Sequence, residues 1–87
     1  MNLKYIFKIL DKNDWNNAKK KGNYSGSAQD LKDGYIHFSE EEQIHETLKK
    51  HYYKQENLIL LKVHTLNLEH LVWENASNGD MYPHLYS

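Results

Sequence analysis

The stretch Gly34-Tyr35-Ile36-His37-Phe38-Ser39-Glu40-Glu41-Glu42-Gln43-Ile44 joins a strand to a helix and carries the most chemically loaded face of this 87-residue chain. Residues 35–39 alternate with period two, so Ile36 and Phe38 share one face and Tyr35, His37 and Ser39 the other. The first face suits a core and the second is polar. Ser39 is followed three residues later by Glu42, the spacing of a capping box in which hydroxyl and carboxylate each satisfy an orphan backbone amide. A helix is therefore predicted to start at Ser39. Ile44, Thr47, Leu48, His51 and Tyr52 then recur at helical spacing and carry it to about Tyr53.

Toward the N-terminus, residues 5–10 (Tyr-Ile-Phe-Lys-Ile-Leu) are rich in β-branched and aromatic side chains and end at Asp11-Lys12-Asn13, which predicts a strand. Asp11 or Asn13 can cap a helix over residues 14–21, with Asp14 in its first turn, three lysines in its last and Gly22 as its stop. Residues 23–33 lack periodicity and read as a loop. Toward the C-terminus, residues 57–64 hold four consecutive apolar residues, Leu58 to Leu61, and read as the central buried strand. Leu66, Leu68 and Leu71 belong to a turn or short helical piece, and Val72-Trp73-Glu74 to a further strand. Asn78-Gly79 signals a hairpin turn. The returning residues 81–86 contain the sole proline, Pro83, which predicts an edge strand or an irregular arm because proline cannot donate to a ladder. Tyr82, His84 and Tyr86 alternate on one face of it. The expected architecture is a single α+β domain over residues 1–87, in the order β-α-β-α-β-β, with a split or strongly twisted sheet.

Composition narrows the function classes. At 10.4 kDa the chain has room for one core. It contains no cysteine, which removes thiol catalysis, disulfides and cysteine-held metals. All eleven basic residues are lysines, so no bidentate guanidinium is available to grip a phosphate. The formal charge is −1, against nucleic-acid binding through Lys19, Lys20 and Lys21. Protonating all six histidines would carry it to +5. His45-Glu46 begins a zinc-protease motif, but Lys49 stands where its second histidine belongs, and no metal site is expected. Neither common phosphate-cradling glycine loop is present. No apolar run is long enough to span a membrane and residues 1–4 lack a leader's apolar segment, so a cytoplasmic location without a membrane partner is expected.

Several segments match a known set: Ile6-Phe7-Lys8-Ile9, Tyr24-Ser25-Gly26-Ser27, Asp30, Asp33-Gly34-Tyr35-Ile36-His37-Phe38-Ser39, Thr47, Trp73-Glu74 and Pro83-His84-Leu85-Tyr86. Over residues 4–86 the chain resembles the bacterial family called domain of unknown function 952. That resemblance implies a small domain similar to the ADP-ribosyltransferase fold. Ile36-His37-Phe38-Ser39 is similar to a motif of the RNA 2′-phosphotransferase branch of those transferases, which would turn His37 and Ser39 toward an NAD pocket. Lys8 stands where the transferases carry a first-strand histidine, and an ammonium cannot both donate and accept as an imidazole does. Relatives extend beyond the Pro83-His84-Leu85-Tyr86 segment, so the sheet is expected to be left open at Ser87 or closed by a second copy in a homodimer.

Two functions follow for one pocket. In the first, the resemblance implies an NAD-using or nucleotide-binding transferase with His37 and Glu74 as catalytic residues. Lys8, Tyr24, Ser27, Ser39, Trp73, His84 and Tyr86 would bind the ligand, with Ser39 and its helix start on a phosphate, Trp73 stacking a ring and Glu74 orienting a ribose hydroxyl. In the second, the same pocket binds a small molecule or protein partner without turnover.

Overall fold

The structure, a computed structural model, describes residues 4–75 and 79–86. Five strands and three helices follow one another as β1 (Tyr5–Asp11), α1 (Lys12–Lys21), α2 (Ala28–Asp33), β2 (Ile36–His37), α3 (Ile44–His51), β3 (Leu58–His64), β4 (Leu71–Asn75) and β5 (Met81–Leu85). Short 3₁₀ turns precede α3 at Glu41–Gln43 and follow β3 at Thr65–Asn67. The order is β-α-α-β-α-β-β-β. No helix among the described residues is long and apolar enough to cross a membrane.

The strands form two antiparallel sheets, β1-β3 and β2-β5-β4. One backbone bridge joins them: Phe7 N donates to Ser39 O at 2.7 Å and Ser39 N to Phe7 O at 2.8 Å. In an antiparallel ladder a residue's N–H and C=O point to the same side. Phe7 therefore turns its backbone away from β3, and Ile6, Lys8 and Leu10 turn theirs toward Val63, Leu61 and Ile59. Beyond Phe7 the edge of β1 opposite β3 has no strand beside it among the described residues. The gap between the sheets opens there.

Six expectations are corrected. Residues 23–33 are not all loop: Ser27 and Asp30 form a capping box and start α2. Helix α1 begins at Lys12, with Asp11 as its cap accepting from Asn13 N at 2.8 Å. Before α3 the cap shifts by one residue, from Ser39 to Glu40, whose N–H donates to Gln43 Oε1 at 2.9 Å. Ser39 is held extended by its bridge to Phe7 and its hydroxyl meets Thr47 Oγ1 instead, at 3.0 Å. The helix stops at His51, short of Tyr53.

The other two corrections exchange centre and edge. β3 flanks β1 on one side only, and its Leu60 is 51% exposed; the central buried strand is β1, whose Ile6, Phe7, Ile9 and Leu10 form most of the core with Ala18 and Phe38. Conversely, the proline-bearing β5 is no edge. It lies between β2 and β4, with Pro83 fully buried. Tyr86 N donates to His70 O. By alternation Pro83, opposite Trp73, therefore points its backbone nitrogen away from β4 and toward β2. There Phe38 N donates to Pro83 O at 3.0 Å, and the return bond that a second N–H would make is missing. The ladder of β2 ends after His37, and the chain crosses to β1 at Ser39. The β4–β5 pairing confirms the hairpin signalled by Asn78-Gly79, while Asn78 itself lies outside the described residues.

Candidate functional site

Where the sheets part, a cleft of about 740 Å³ runs along Phe7 to Asp11 of β1 and is closed by the start of α2, the end of α3 and the polar face of β2 and β5. Its floor is a buried charge network. Lys8 Nζ donates to Asp30 Oδ2 at 2.7 Å, and the two residues are 4% and 2% exposed. Asp30 also accepts from Ser27 N at 2.9 Å, from His37 N at 3.2 Å and at His37 Nδ1, 2.6 Å away. Burial by itself would raise the Asp30 pKa, but the bonds from His37 and Lys8, the Lys8 charge and the Ser27 amide outweigh it and hold the carboxyl well below the usual range. Lys8 moves down: burial penalises its ammonium, and the bond and charge of Asp30 offset only part of that.

His37 is clamped from both sides, its Nδ1 by Asp30 and its Nε2 by Asp33 Oδ2 at 3.1 Å. A neutral imidazole donates to one of these oxygens and an imidazolium to both. Above it the rings gather. Tyr35 stacks on His84 with centroids 4.2 Å apart and touches His37 at 4.6 Å and Tyr86 at 5.2 Å. This follows from period-two alternation, which puts Tyr35 and His37 of one strand on the same side as His84 and Tyr86 of its neighbour.

His84 is 7% exposed and its Nδ1 lies 2.9 Å from Glu74 Oε1, which also accepts the Tyr86 hydroxyl proton. A carboxylate accepts only, so Nδ1 carries the proton and the other ring nitrogen is left to act. The Tyr86 bond is the main reason the Glu74 carboxyl is lowered, with His84 second, and the same bond pushes the Tyr86 hydroxyl up to about 12.

Five residues singled out from the sequence, Lys8, Ser27, His37, Ser39 and His84, line this one cleft. Glu74 and Tyr86 stand behind His84 and reach the cleft through it. Trp73, on the opposite face of β4 from Glu74, lies outside: its Nε1 donates to Glu40 Oε2 at 2.9 Å and Lys4 Nζ sits 5.0 Å over its ring. Tyr24 packs edge-on to Trp15, its hydroxyl buried without a partner among the described residues and its pKa raised by burial first and by Asp30 second. Sequence reasoning passed over Asp30 and Asp33 as site residues, although the Ser27-x-x-Asp30 spacing already marks Asp30 as a cap. It also passed over Tyr52, whose hydroxyl crosses the cleft to Ile9 O at 3.0 Å.

The NAD that the transferase resemblance implies does not fit these residues. Its pyrophosphate calls for free cations or free amides, and Lys8 and the amides of Asn13, Ser27 and Asp30 are already taken by Asp30, Asp11 and Ser27. Among the described residues no group of three or more histidine or carboxylate side chains is placed to hold a metal ion.

Comparison with known proteins gives a family and a fold. Residues 9–87 match the model of a family described as protein of unknown function (DUF952). The crystal structure of protein CC0527 from Caulobacter crescentus is 47% identical and superposes with a TM-score of 0.88, over 94% of this chain and 73% of that one. A crystal structure of its double mutant, at 46% identity, gives the same TM-score, and the solution NMR structure of CC0527 gives 0.82 over 99% of this chain and 73% of that one. No curated protein matches the chain.

Proposed function

We propose, from the premise that this chain belongs to the DUF952 family of proteins of unknown function, that it is a small-ligand-binding domain whose ligand enters the cleft between the two sheets. The observation that carries this reading is the convergence on one concave site of two histidines, each with a ring nitrogen fixed by a carboxylate: His37 by Asp30 and His84 by Glu74. Fixed imidazoles beside an apolar wall are the composition of a recognition pocket. Ser39 is 4% exposed and engaged with Thr47, which suits a role in shaping the pocket rather than attacking a ligand.

The test is a two-dimensional amide NMR titration with a panel spanning nicotinamide, adenosine, ADP-ribose, NAD and benzamidine. Saturable shifts at His37, Ser39 and His84, with the Trp73 indole unmoved, are the expected result. Silence of the whole panel at about 10 mM, weaker than any functional small-molecule site, would overturn it.

The Glu74–His84 pair favours a second reading, an enzyme that carries out acid–base chemistry on the bound ligand. Here Glu74 orients His84 as the acid–base group while His37 holds the substrate. Incubating each ligand found by titration with the protein and following it by one-dimensional NMR decides between the two. Product formed by the parent protein and not by His84→Gln supports turnover. Ligand that stays intact leaves the binding module.

A further inference from the structure

We infer that the ligand of this cleft is a planar ring without phosphate groups, taken as a cation in preference to an anion. The inference rests on the ligand-binding reading above and names the chemistry that the same site selects.

Three features of the lining carry it. The first is charge. Asp11, Asp14, Asp30 and Asp33 face the cleft against Lys8 and Lys50. Lys8 is consumed by Asp30, and Lys50 pairs with Glu46 at 3.2 Å. With no arginine in the chain, an incoming phosphate meets four carboxylates and, among the described residues, only lysines already in ion pairs, of which the exposed Lys50–Glu46 pair is the weaker. Water is partly excluded from such a cleft, so the sign of the lining acts more strongly than on an open surface.

The second feature is the helix starts. α1 and α2 both begin at the cleft, where backbone amides ordinarily attract anions. Here Asp11 occupies the Asn13 amide, and Asp30 and Ser27 occupy one another's. Two of these three amides already hold carboxylates of the chain itself, and the third holds a hydroxyl. The third is shape: Tyr82 lines the cleft on the same face of β5 as His84, and with the two imidazoles it offers flat ring faces, which are filled best by a flat ring.

Benzamidine, benzamide, benzoate and phenyl phosphate keep one ring and change only the charge, so they test the inference on the intact chain. Titrations at pH 7.5 and low salt are followed at the His37 and His84 amides. Benzamidine is expected to bind about tenfold more tightly than benzoate, with benzamide between and phenyl phosphate weakest, and about 0.5 M salt should shrink the ratio. Asp33→Asn, at a half-exposed carboxylate, should leave the fold intact and bring benzamidine and benzamide closer together. Benzoate or phenyl phosphate binding as tightly as benzamidine would overturn the inference while leaving a ligand-binding cleft in place. Silence of all four ring probes would overturn it as well, and the separate fate of the binding reading is then read from adenosine and ADP-ribose in the wider panel.

Discussion

Asp30 accepts hydrogen bonds from Lys8, Ser27 and His37 while almost wholly removed from water, and that makes it the residue on which the site depends. Its folded pKa lies below the ordinary 3.8, so ionised Asp30 contributes stability that is complete above about pH 4 and is lost as the pH falls through the folded value. Urea midpoints measured from pH 7 down to pH 2 should therefore fall below pH 4, and Asp30→Asn should flatten that limb of the curve. Lys8→Met leaves a buried carboxylate short of its cation and should cost about 3 kcal/mol in the same assay, an appreciable part of the stability of so small a domain. A Lys8→Met loss below about 0.5 kcal/mol would mean that His37 and Ser27 suffice to hold Asp30. Lys8 was singled out in the sequence through the family resemblance, as a lysine at the place of a first-strand histidine. Its partner was not, because Asp30 comes 22 residues later, in a segment without periodicity.

At the level of elements, one spacing rule covers Ser27-x-x-Asp30 and Ser39-x-x-Glu42, and the serine that forms its box lies in the segment read from the sequence as a loop. After the second serine an apolar stripe makes the helix legible. The first opens a helix of six residues, too short to show a stripe, whose Leu31 is largely exposed. Ser27→Ala should cost about 1 kcal/mol through the lost cap. Gly26→Ala should cost more, because φ is +111° there and an added Cβ would lie 2.8 Å from Asp30 Cβ; a thermal melt that leaves Tm unchanged would contradict this. Pro83 is the converse case. Its missing N–H was read as the mark of an edge, whereas in β5 it faces only β2 and stops that ladder after two residues. Pro83→Val supplies the absent donor, and its new amide should exchange slowly with deuterium as it pairs with Phe38; fast exchange would mean that the sheets part for another reason.

Across the whole molecule, register and edges set an exchange pattern. Amides of Ile59, Leu61 and Val63 face β1 and should be protected, while those of Leu60 and Lys62, on the open side of β3, should exchange quickly unless a second copy covers that edge. Concentration-dependent protection at Leu60 and Lys62 would reveal such a copy. The amino-acid sequence by itself determined what is local: the alternation of residues 35–39, the helical stripe after them, the capped and charge-ordered α1, the strand character of β1, β3 and β4, and therefore an α+β domain with a polar face at Tyr35, His37 and Ser39. Those features depend on neighbours a few residues apart, and their periodicity is visible in one dimension. Only the tertiary structure decided which strand is central, where the two sheets part, and that Lys8, Asp30 and His37 close into one buried network while Trp73 is turned away from the cleft. These outcomes depend on which backbone edges find partners across 20 to 60 residues of chain. A buried lysine, a proline with nothing to donate and a serine drawn off its cap each acquire their meaning from that pairing.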